Sequence, residues 1–277
     1  MKKNLLRIFA IGSALFFLLS FAACDKENIL LKGEGGQATV KYRSNDSGVS
    51  LYRYKGTSDI LAYTVPDEYE GSPVTALMEF SFANSEYLQE LTLGPNINSI
   101  DVWALTNCSK LKSITVSKDN QWFKDIDGVL YTKNGDTLLA FPSMNTTALI
   151  IPAGVERIAA NAFYKCSNLV SVQFPSGLKT IGDRAFLKCK ALTAVNLPGG
   201  LTTIGNDAFS FCHAMEDVYV ASSVTSIGNY AFFDATKVSA IKMEALNGDK
   251  ITFGKDWKYK KDAKFNSDIP VEWGVQQ

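Results

Sequence analysis

An Ala-Phe pair occurs four times in the second half of the chain, always with the same 23-residue interval. The pairs are Ala162-Phe163, Ala185-Phe186, Ala208-Phe209 and Ala231-Phe232. A fixed period of about 20 to 50 residues is typical of a solenoid, in which each repeat buries its apolar side against the next one. The chain is therefore predicted to stack coils rather than to close around one globular core.

Other residues hold fixed places around each pair. An isoleucine precedes it by four positions, a small residue follows it by four, and a short run with alternating apolar residues comes next. Pro152, Pro175 and Pro198 each stand just past such a run, and proline ends a strand because it lacks a backbone N–H. We predict an α/β repeat solenoid with one short strand per 23-residue repeat and an irregular or short-helical convex side.

Weaker copies extend the array towards the N-terminus, at Ala104-Leu105 and Ser81-Phe82. The array then holds seven coils over residues 71–243. The distance from Ala104 to Ala162 is 58, which equals 23 plus 35, so the third coil is expected to carry a 12-residue insertion. Apolar runs on both sides of Asn134-Gly135 predict a β-hairpin there, because both residues tolerate the positive φ of a tight turn. The insert spans about 117–151.

The whole pattern, Val-x-x-Ile-Gly-x-x-Ala-Phe-x-x-Cys-x-x-Leu-x-x-Val-x-Leu-Pro, resembles the BspA-type leucine-rich repeat of bacterial and protozoan surface proteins. Residues 178–182 and 224–228 match it directly, and residues 126–131 look like the hairpin insert of that family. Ala159-Ala160 departs from the Ile-Gly follow-on. The resemblance implies a right-handed leucine-rich-repeat coil and adhesion to host or neighbouring-cell proteins, such as matrix components.

Residues 1–23 have the composition of a secretory leader, with Lys2, Lys3 and Arg7 before an apolar run. Phe21-Ala22-Ala23-Cys24 resembles a bacterial lipobox, which implies cleavage before Cys24 and acylation of its thiol; an ordinary leader cut after Ala23 is the alternative. Two or three acyl chains would anchor the protein stably in a membrane. Residues 25–27 resemble an export signal of surface lipoproteins, so we expect an outer-membrane lipoprotein exposed at the cell surface.

Both ends of a solenoid need caps, because a terminal coil exposes half a core. We assign residues 24–36 to the lipidated cysteine and a tether, 37–70 to an N-terminal β cap and 244–277 to a C-terminal cap. Lys plus Arg and Asp plus Glu number 28 each, and loss of three basic residues with the leader leaves 25 minus 28, a net charge of −3. That balance excludes a basic field for nucleic acid.

Four cysteines and one histidine are the candidates for chemistry in the mature chain beyond Cys24. Cys108, Cys166, Cys189 and Cys212 share one place in their coils, so they are expected to be buried thiols in a core ladder; disulfides between stacked coils are the alternative. Cysteines that lie whole repeats apart lack the short ligand spacing of a metal site. His213 is predicted to be a turn residue. A catalytic Cys-His pair needs two side chains that converge, whereas the side chains of sequence neighbours such as Cys212 and His213 usually diverge. We predict no enzyme, no metal and no cofactor.

The remaining place for function is the row of strand residues that point away from the core, on the predicted concave side. The candidate contacts there are Ser113, Thr115, Ser171, Gln173, Asn196, Asp217, Tyr219 and Lys242, with Ile150 in the same columns. Simple solvated strand positions are the alternative. Trp122 and Trp257 are candidate aromatic contacts elsewhere. Inside, Phe163, Phe186, Phe209 and Phe232 are expected to stack as a ladder.

The sequence thus favours a non-enzymatic, surface-anchored adhesion protein that binds a protein ligand through its repeat face. A glycan-binding lipoprotein of a nutrient-uptake system and a periplasmic structural or assembly subunit are the alternatives.

Overall fold

The computed structural model describes residues 29–33, 36–45, 48–216, 218–245, 248, 250–261 and 266–275. These residues form a β-solenoid of short strands. In chain order the strands are β1 (Ile29–Gly33), β2 (Gly36–Asn45), β3 (Gly48–Lys55), β4 (Ala62–Thr64), β5 (Glu68–Tyr69), β6 (Ser72–Leu77), β7 (Glu90–Leu93), β8 (Ser99–Ile100), β9 (Ser113–Val116), β10 (Phe123–Ile126), β11 (Val129–Thr132), β12 (Thr137–Ala140), β13 (Ala148–Ile150), β14 (Arg157–Ile158), β15 (Ser171–Gln173), β16 (Thr180–Ile181), β17 (Ala194–Val195), β18 (Thr203–Ile204), β19 (Val218–Val220), β20 (Ser226–Ile227), β21 (Ile241–Met243), β22 (Thr252–Phe253), β23 (Tyr259–Lys261), β24 (Asn266–Asp268) and β25 (Val271–Trp273).

Each regular coil contributes two short strands, where the sequence predicted one. The predicted strand is present as β13, β15, β17, β19 and β21, and it pairs in parallel with its neighbours. The second strand is the two-residue segment that ends at the isoleucine before each Ala-Phe pair, as in β16 and β18. This segment is too short to show an alternating pattern in the sequence, so periodicity alone missed it.

The second strands join into one long sheet. Its order is β10-β11-β12-β14-β16-β18-β20-β22, and every pair from β12 to β22 is parallel. The first strands form shorter sheets, β4-β7-β9, β13-β15-β17 and β19-β21-β25. We call their solvent-facing side the strand face.

The prediction allowed an irregular or a short-helical convex side, and the short-helical form is wrong, as is the α/β class: no helix occurs among the described residues. The chain that carries the Ala-Phe pair, which we call the arc, consists of turns with two positive-φ residues per coil, for example Arg184 (56°) and Lys188 (63°). Left-handed residues interrupt a right-handed helix. The backbone N–H groups of Arg184, Phe186 and Lys188 instead donate to carbonyls of the next coil at 2.7 to 2.9 Å.

Adjacent coils come closest just after the second strands, and glycine occupies that position. A Cβ on Gly182, Gly205 or Gly228 would lie 2.7, 2.6 or 2.5 Å from a backbone nitrogen of the preceding coil. Real Cβ atoms do not approach so closely, so only glycine permits this spacing. The Ile-Gly step of the repeat is therefore a packing requirement between coils.

Stacked aromatic rings fill the regular core. Phe163 and Phe186 have ring centroids 4.5 Å apart, Phe186 and Phe209 5.1 Å, and Phe209 and Phe232 5.5 Å, with nearly parallel planes. All four rings are fully buried. Phe141 extends this phenylalanine ladder by one ring, 5.0 Å from Phe163.

The cysteine column lies beside the ladder. Cys108, Cys166, Cys189 and Cys212 are buried and free of disulfides. Each thiol reaches a phenylalanine carbonyl of an earlier coil; Cys189 Sγ, for example, donates to the Phe163 oxygen at 3.0 Å. Burial raises the pKa of Cys108, Cys166 and Cys212 to about 12, so these thiols stay protonated at neutral pH.

The insert is a three-stranded antiparallel unit, β10-β11-β12. The predicted hairpin across Asn134-Gly135 is present, although only Gly135 has positive φ. The two-residue turn with positive φ at both positions is Asp127-Gly128, at 51° and 78°, between β10 and β11. Because Phe141 joins the ladder, the pair of the third coil is Ala140-Phe141. It lies 36 residues after Ala104 and 22 before Ala162, so the extra residues precede this pair and neither interval equals the predicted 23 or 35.

Strand β11 separates two hydrophobic cores. Val129 and Tyr131 belong to the core of the later coils, whereas Leu130 belongs to that of the earlier ones. Successive strand residues point to opposite faces, so both faces of β11 are buried. The parallel stacking of the regular coils is thus replaced here by one strand packed on both sides.

The ends of the array differ. At the N-terminal end β2, β3 and β6 form a sheet over an aromatic cluster in which Phe82 contacts Tyr54 and Tyr63 at 5.0 and 5.7 Å. At the other end the stack continues past residue 243, since β20 pairs with β22 and Phe232 N donates to the Trp257 oxygen. Trp257 thereby takes the backbone position of the alanine in the pair, and its ring meets the edge of Phe232 instead of stacking on it.

Candidate binding face

One row of unlike side chains runs along the strand face of the later coils. Ile150 pairs with Gln173, Asn196 with Tyr219, Tyr219 with Lys242, and Lys242 with Glu272. The pairing of Val172 with Val195 sets Asn196 beside Gln173. At about 4.8 Å per strand, the row extends roughly 24 Å.

The first half of this row borders an open hollow of about 480 Å³. Its lining includes Ile150, Ser171, Gln173 and Asn196. The side chain of Ile150 is 73% exposed, the highest value among the large apolar residues of the described chain. The 23-residue period places Ile150 in the outward column. The sequence alone does not mark it as a contact residue, because aliphatic residues are common in strands.

The second half of the row carries an aromatic-cation pair. Lys242 Nζ lies 5.0 Å from the centroid of the Tyr219 ring and 3.4 Å from its hydroxyl. Both side chains are partly exposed. An ammonium over a tyrosine ring is held electrostatically by the ring face, so this pair presents a fixed polar and aromatic surface to a ligand.

The structure does not bring all predicted contacts together. Ser113 and Thr115 lie on β9, in a different sheet from Ser171 and Gln173. The turn of the insert covers Ser113, because a Cβ on Gly128 would lie 2.9 Å from the Ser113 Cβ. The insert therefore divides the strand face into two parts. Asp217 and Cys24 lie outside the described residues.

The two predicted aromatic contacts differ in their exposure to solvent. Trp122 is 45% exposed at the entry to β10, where its backbone N–H donates to Asn120 Oδ1. Trp257 is buried: it stacks on Phe253 at 4.7 Å and meets the edge of Phe232. The prediction that Trp257 offers a surface contact is wrong, because the coil stack continues to this residue.

The site geometry offers no catalytic pair at the histidine. Cys212 Sγ donates into the core, to the Phe186 oxygen at 3.1 Å, whereas His213 Nε2 lies 3.3 Å from Asp234 Oδ2 on the arc. In the described part of the chain, no three His, Cys, Asp or Glu side chains converge as metal ligands. Nor does a helix long and apolar enough to cross a membrane occur in the described ranges.

Comparison with known structures agrees with this fold. A leucine-rich-repeat protein from Eubacterium ventriosum superposes with a TM-score of 0.51 at 17% identity, over 86% of this chain and 94% of that one. A leucine-rich cell surface protein from Faecalibacterium prausnitzii is 24% identical with a TM-score of 0.46, and the match covers 70% of this chain but only 59% of that protein's length. The pneumococcal vaccine antigen PcpA is 14% identical with a TM-score of 0.47, over 84% and 86% of the two chains.

Comparison of the sequence itself gives two results. A search of curated protein sequences finds no significant match. The BspA type leucine-rich-repeat region matches in six copies, over residues 54–127 and 139–253, which is more than half of the chain. The chain therefore belongs to the BspA-type leucine-rich-repeat family.

Proposed function

We propose that this protein is a non-enzymatic binding protein, anchored at the cell surface, that attaches to a protein of the host or of a neighbouring cell through its strand face. The observation that carries the proposal is the row from Ile150 to Glu272 beside the open hollow. It combines an exposed aliphatic group, carboxamides, an aromatic-cation pair and a carboxylate along one rigid line. Such a mixed surface suits many modest contacts.

The backbone beneath the row supports this proposal. The row stands on parallel strands whose inner residues Val172, Val195 and Val218 are buried in the core. Rigid elements lower the entropy cost of binding, because the contacting side chains are already positioned. Leucine-rich-repeat proteins of this family are typically binding scaffolds, which supports a binding role over a catalytic one.

The proposal of surface anchoring rests on the leader and on Cys24. The leader ends where acylation requires a cysteine, and acyl chains would tether the solenoid to the outer membrane. One structural relative is described as a cell surface protein and another as a vaccine antigen, which supports exposure at the surface.

The binding proposal is tested with the mature chain on arrays of matrix proteins and glycans at physiological salt. We expect saturable binding to a protein, and we expect the double change Gln173→Ala with Tyr219→Ala to weaken it at least about tenfold. The matched control is Thr180→Ala with Thr203→Ala, on the long sheet away from the strand face. Equal loss in the control, or protein binding unaffected by the first pair, would refute the use of the strand face.

Anchoring has its own test. Cells fed a radiolabelled fatty acid should label the wild-type protein and should not label the Cys24→Ala variant. Protease shaving of intact cells should then remove the wild-type solenoid. Label without shaving would place the protein at the periplasmic side and favour the structural or assembly role.

A second candidate is glycan capture for nutrient uptake, which the exposure of Trp122 favours. An exposed indole ring gives a flat apolar face beside polar groups. Binding of an array glycan that is lost in Trp122→Ala and kept in the Gln173/Tyr219 double variant would select this function over protein adhesion.

A further inference from the structure

The row of arcs is interrupted and leaves an opening between the coil of Ala104 and the coil of Ala162. In the intervening coil, Leu138 pairs with Ile158 and Phe141 stacks on Phe163. Its arc is therefore shortened, because three positions separate Leu138 from Phe141 where five separate the equivalent residues of the next coil. Side chains of the flanking coils therefore meet directly. The Trp103 and Tyr164 rings are 6.0 Å apart, edge to face, and Asn161 Nδ2 donates to the Val102 oxygen at 3.2 Å.

A cavity of about 80 Å³ lies behind this opening. Its walls come from both hydrophobic cores; the apolar lining includes Ile100, Leu105, Leu111, Leu139, Ala140 and Phe141. Several of these side chains are only partly buried. The cavity is thus an apolar space connected to the surface, at the place where the regular stacking of coils stops.

Ala159 shows independently that the preceding coil follows a different path here. It stands one repeat before Gly182, at the position where a Cβ would collide with the preceding coil. Ala159 carries a Cβ and lines the cavity together with Leu139 and Ala140 of the preceding coil. The two coils keep their regular contact, since Ala159 N donates to the Leu138 oxygen at 2.9 Å as Gly182 N does to the Ile158 oxygen, so the room for this Cβ comes from the backbone beyond Leu138.

One wall residue has an unmet hydrogen-bonding capacity. Asn161 is buried, and its Oδ1 accepts no hydrogen bond, while its Nδ2 is committed to Val102. A buried acceptor without a donor destabilises the folded chain, and a donor brought in by a ligand would relieve that cost.

The mouth of the cavity has the composition of a protein contact. Val102 is 50% exposed at the rim, and the partly exposed rings of Trp103 and Tyr164 stand beside it. Arg184 Cζ lies 5.5 Å from the centroid of the Trp103 ring. Asp101, also in the lining, accepts from Trp103 N–H. Tryptophan, tyrosine and arginine are the residues most enriched at the energetic centres of protein interfaces.

We propose that this opening, which we call the arc window, is a second binding site, which receives one aliphatic side chain of an extended protein segment. Its volume is far below the roughly 300 to 1,000 Å³ of sites for drug-sized ligands, and about half of the ~150 Å³ that encloses benzene. A side chain of the size of valine or leucine suits it. A free small molecule in the cavity would leave Val102, Trp103 and Tyr164 in water, whereas a polypeptide covers them.

The segment's backbone completes the fit. An N–H group next to the inserted side chain would donate to Asn161 Oδ1, because Asn161 lines the cavity. The aromatic rim would exclude water around the anchor, as in other interfaces with a central apolar pocket. This site is separate from the strand face, so a partner bound there would leave the row from Ile150 to Glu272 accessible.

The test is selection of random linear peptides displayed on phage against the full mature chain. Enriched peptides should share a valine, leucine or isoleucine. Their affinity should fall at least about tenfold in Ala159→Leu, which fills the cavity, and in Val102→Ser, which removes the rim. Val170→Ser is the matched control, because Val170 is also exposed, at 41%, but lies on a regular coil; it should bind as wild type.

Thermal melts verify that each variant is folded, and Val102→Ser keeps the test valid if Ala159→Leu fails to fold, because Val102 is a surface residue. No enrichment, or enriched peptides that bind Val102→Ser as well as wild type, would overturn the arc window. Peptides that lose binding only in the Gln173/Tyr219 double variant would also overturn it, and would support the strand face instead.

Discussion

The coils from Phe163 to Phe232 and the insert around β11 bury apolar residues in two different ways. In the coils, each residue meets its own equivalent from the next repeat, so rings, thiols and glycines form columns. Around β11, each residue has a unique neighbour, and the strand serves two cores. Repetition gives the coils close packing, whereas the insert leaves a cavity and a divided strand face. Side-chain columns account for the packing of the coils, and the cavity lies where those columns stop.

The largest expected difference in stability between the two regions appears at alkaline pH. Burial raises the pKa of Cys166 and Cys212 from 9.0 to about 12 and raises that of Cys189 as well, so these thiols bind protons in the folded chain that the unfolded chain has lost. Stability is therefore complete below pH 9 and falls as the pH rises above it, by about 1.4 kcal/mol per thiol and pH unit. Above pH 10 the buried hydroxyls of Tyr54 and Tyr131, with a pKa of about 12, add to the loss.

Urea unfolding at pH 7 to 10 measures this effect. Changing the three cysteines of the later coils to alanine should flatten the dependence between pH 9 and 10, since Ala235 already occupies the same column. Changing Cys108 alone should remove about a third as much. An unchanged pH dependence in the triple variant would contradict the assignment of the loss to the thiols.

The next effect concerns the phenylalanine ladder. Phe186→Ala should cost about 3 to 5 kcal/mol, because the ring is fully buried between two parallel rings and leaves a cavity. Phe141→Ala should cost less, since Phe141 already borders the arc window and its surroundings can relax. Unfolding free energies from urea titration give both numbers, and equal costs would mean that the arc window does not loosen its surroundings.

Replacing a glycine between two coils should have a smaller effect on stability, and a glycine outside the coil contact provides the control. Gly205→Ala should cost about 1 to 3 kcal/mol, because the new Cβ would lie 2.6 Å from Asp183 N and force the coils apart. Gly199→Ala should be neutral or slightly stabilising, since nothing lies within 4 Å of a Cβ there. In the insert region, Ala159→Gly should change stability by no more than about 1 kcal/mol. Thermal melts of the three variants rank them.

The smallest effect is an ion pair at the insert turn. Hydrogen bonds from Thr137 first, and the nearby charge of Arg157 last, lower the pKa of Asp136 from its ordinary 3.8 to about 2. The stabilisation is present above pH 4 and is lost as the pH falls towards 2. Asp136→Asn should cost less than about 1 kcal/mol at pH 7, as should Glu156→Gln, which breaks the exposed pair with Lys179 in the later coils. The melting temperature of Asp136→Asn should lie below that of the wild type by more at pH 7 than at pH 2.5, where part of the stabilisation is already lost.

Much of the fold follows from the period alone. The repeat interval identifies the ring column, the thiol column and the strand that ends before Pro175 and Pro198, since each depends on a repeated side chain. The second strand and the arc could not be predicted this way. Both depend on hydrogen bonds between coils, such as Phe186 N to the Ala208 oxygen, which involve backbone atoms common to every residue.

The binding face was harder to predict than the core. The outward columns follow from alternation, but alternation within a strand does not reveal that the Asp127-Gly128 turn would cover Ser113. Sequence reasoning misplaces Trp257 because the last interval is longer than the period. Phe232 N donates to the Trp257 oxygen as Phe209 N donates to the Ala231 oxygen, and these two acceptors lie 26 residues apart instead of 23. It overlooks the Ala140-Phe141 pair for the same reason, as neither neighbouring pair lies at the regular interval. Where the repeat interval changes, the sequence pattern predicts neither the packing nor the exposure of the residues.

The contact between regular coils also has a genetic consequence. Because Gly182, Gly205 and Gly228 meet equivalent backbone, duplication or loss of one whole repeat would restore every contact at the new junction. Unequal crossing-over within the coding sequence can therefore lengthen or shorten the strand face in single steps without a period of misfolded intermediates. The segment around β11 cannot be duplicated in this way. It packs against two different cores, and a second copy would have the same kind of core on both sides. Lineages of this protein should vary in the number of later coils and keep a single insert, so the array's length evolves separately from the arc window.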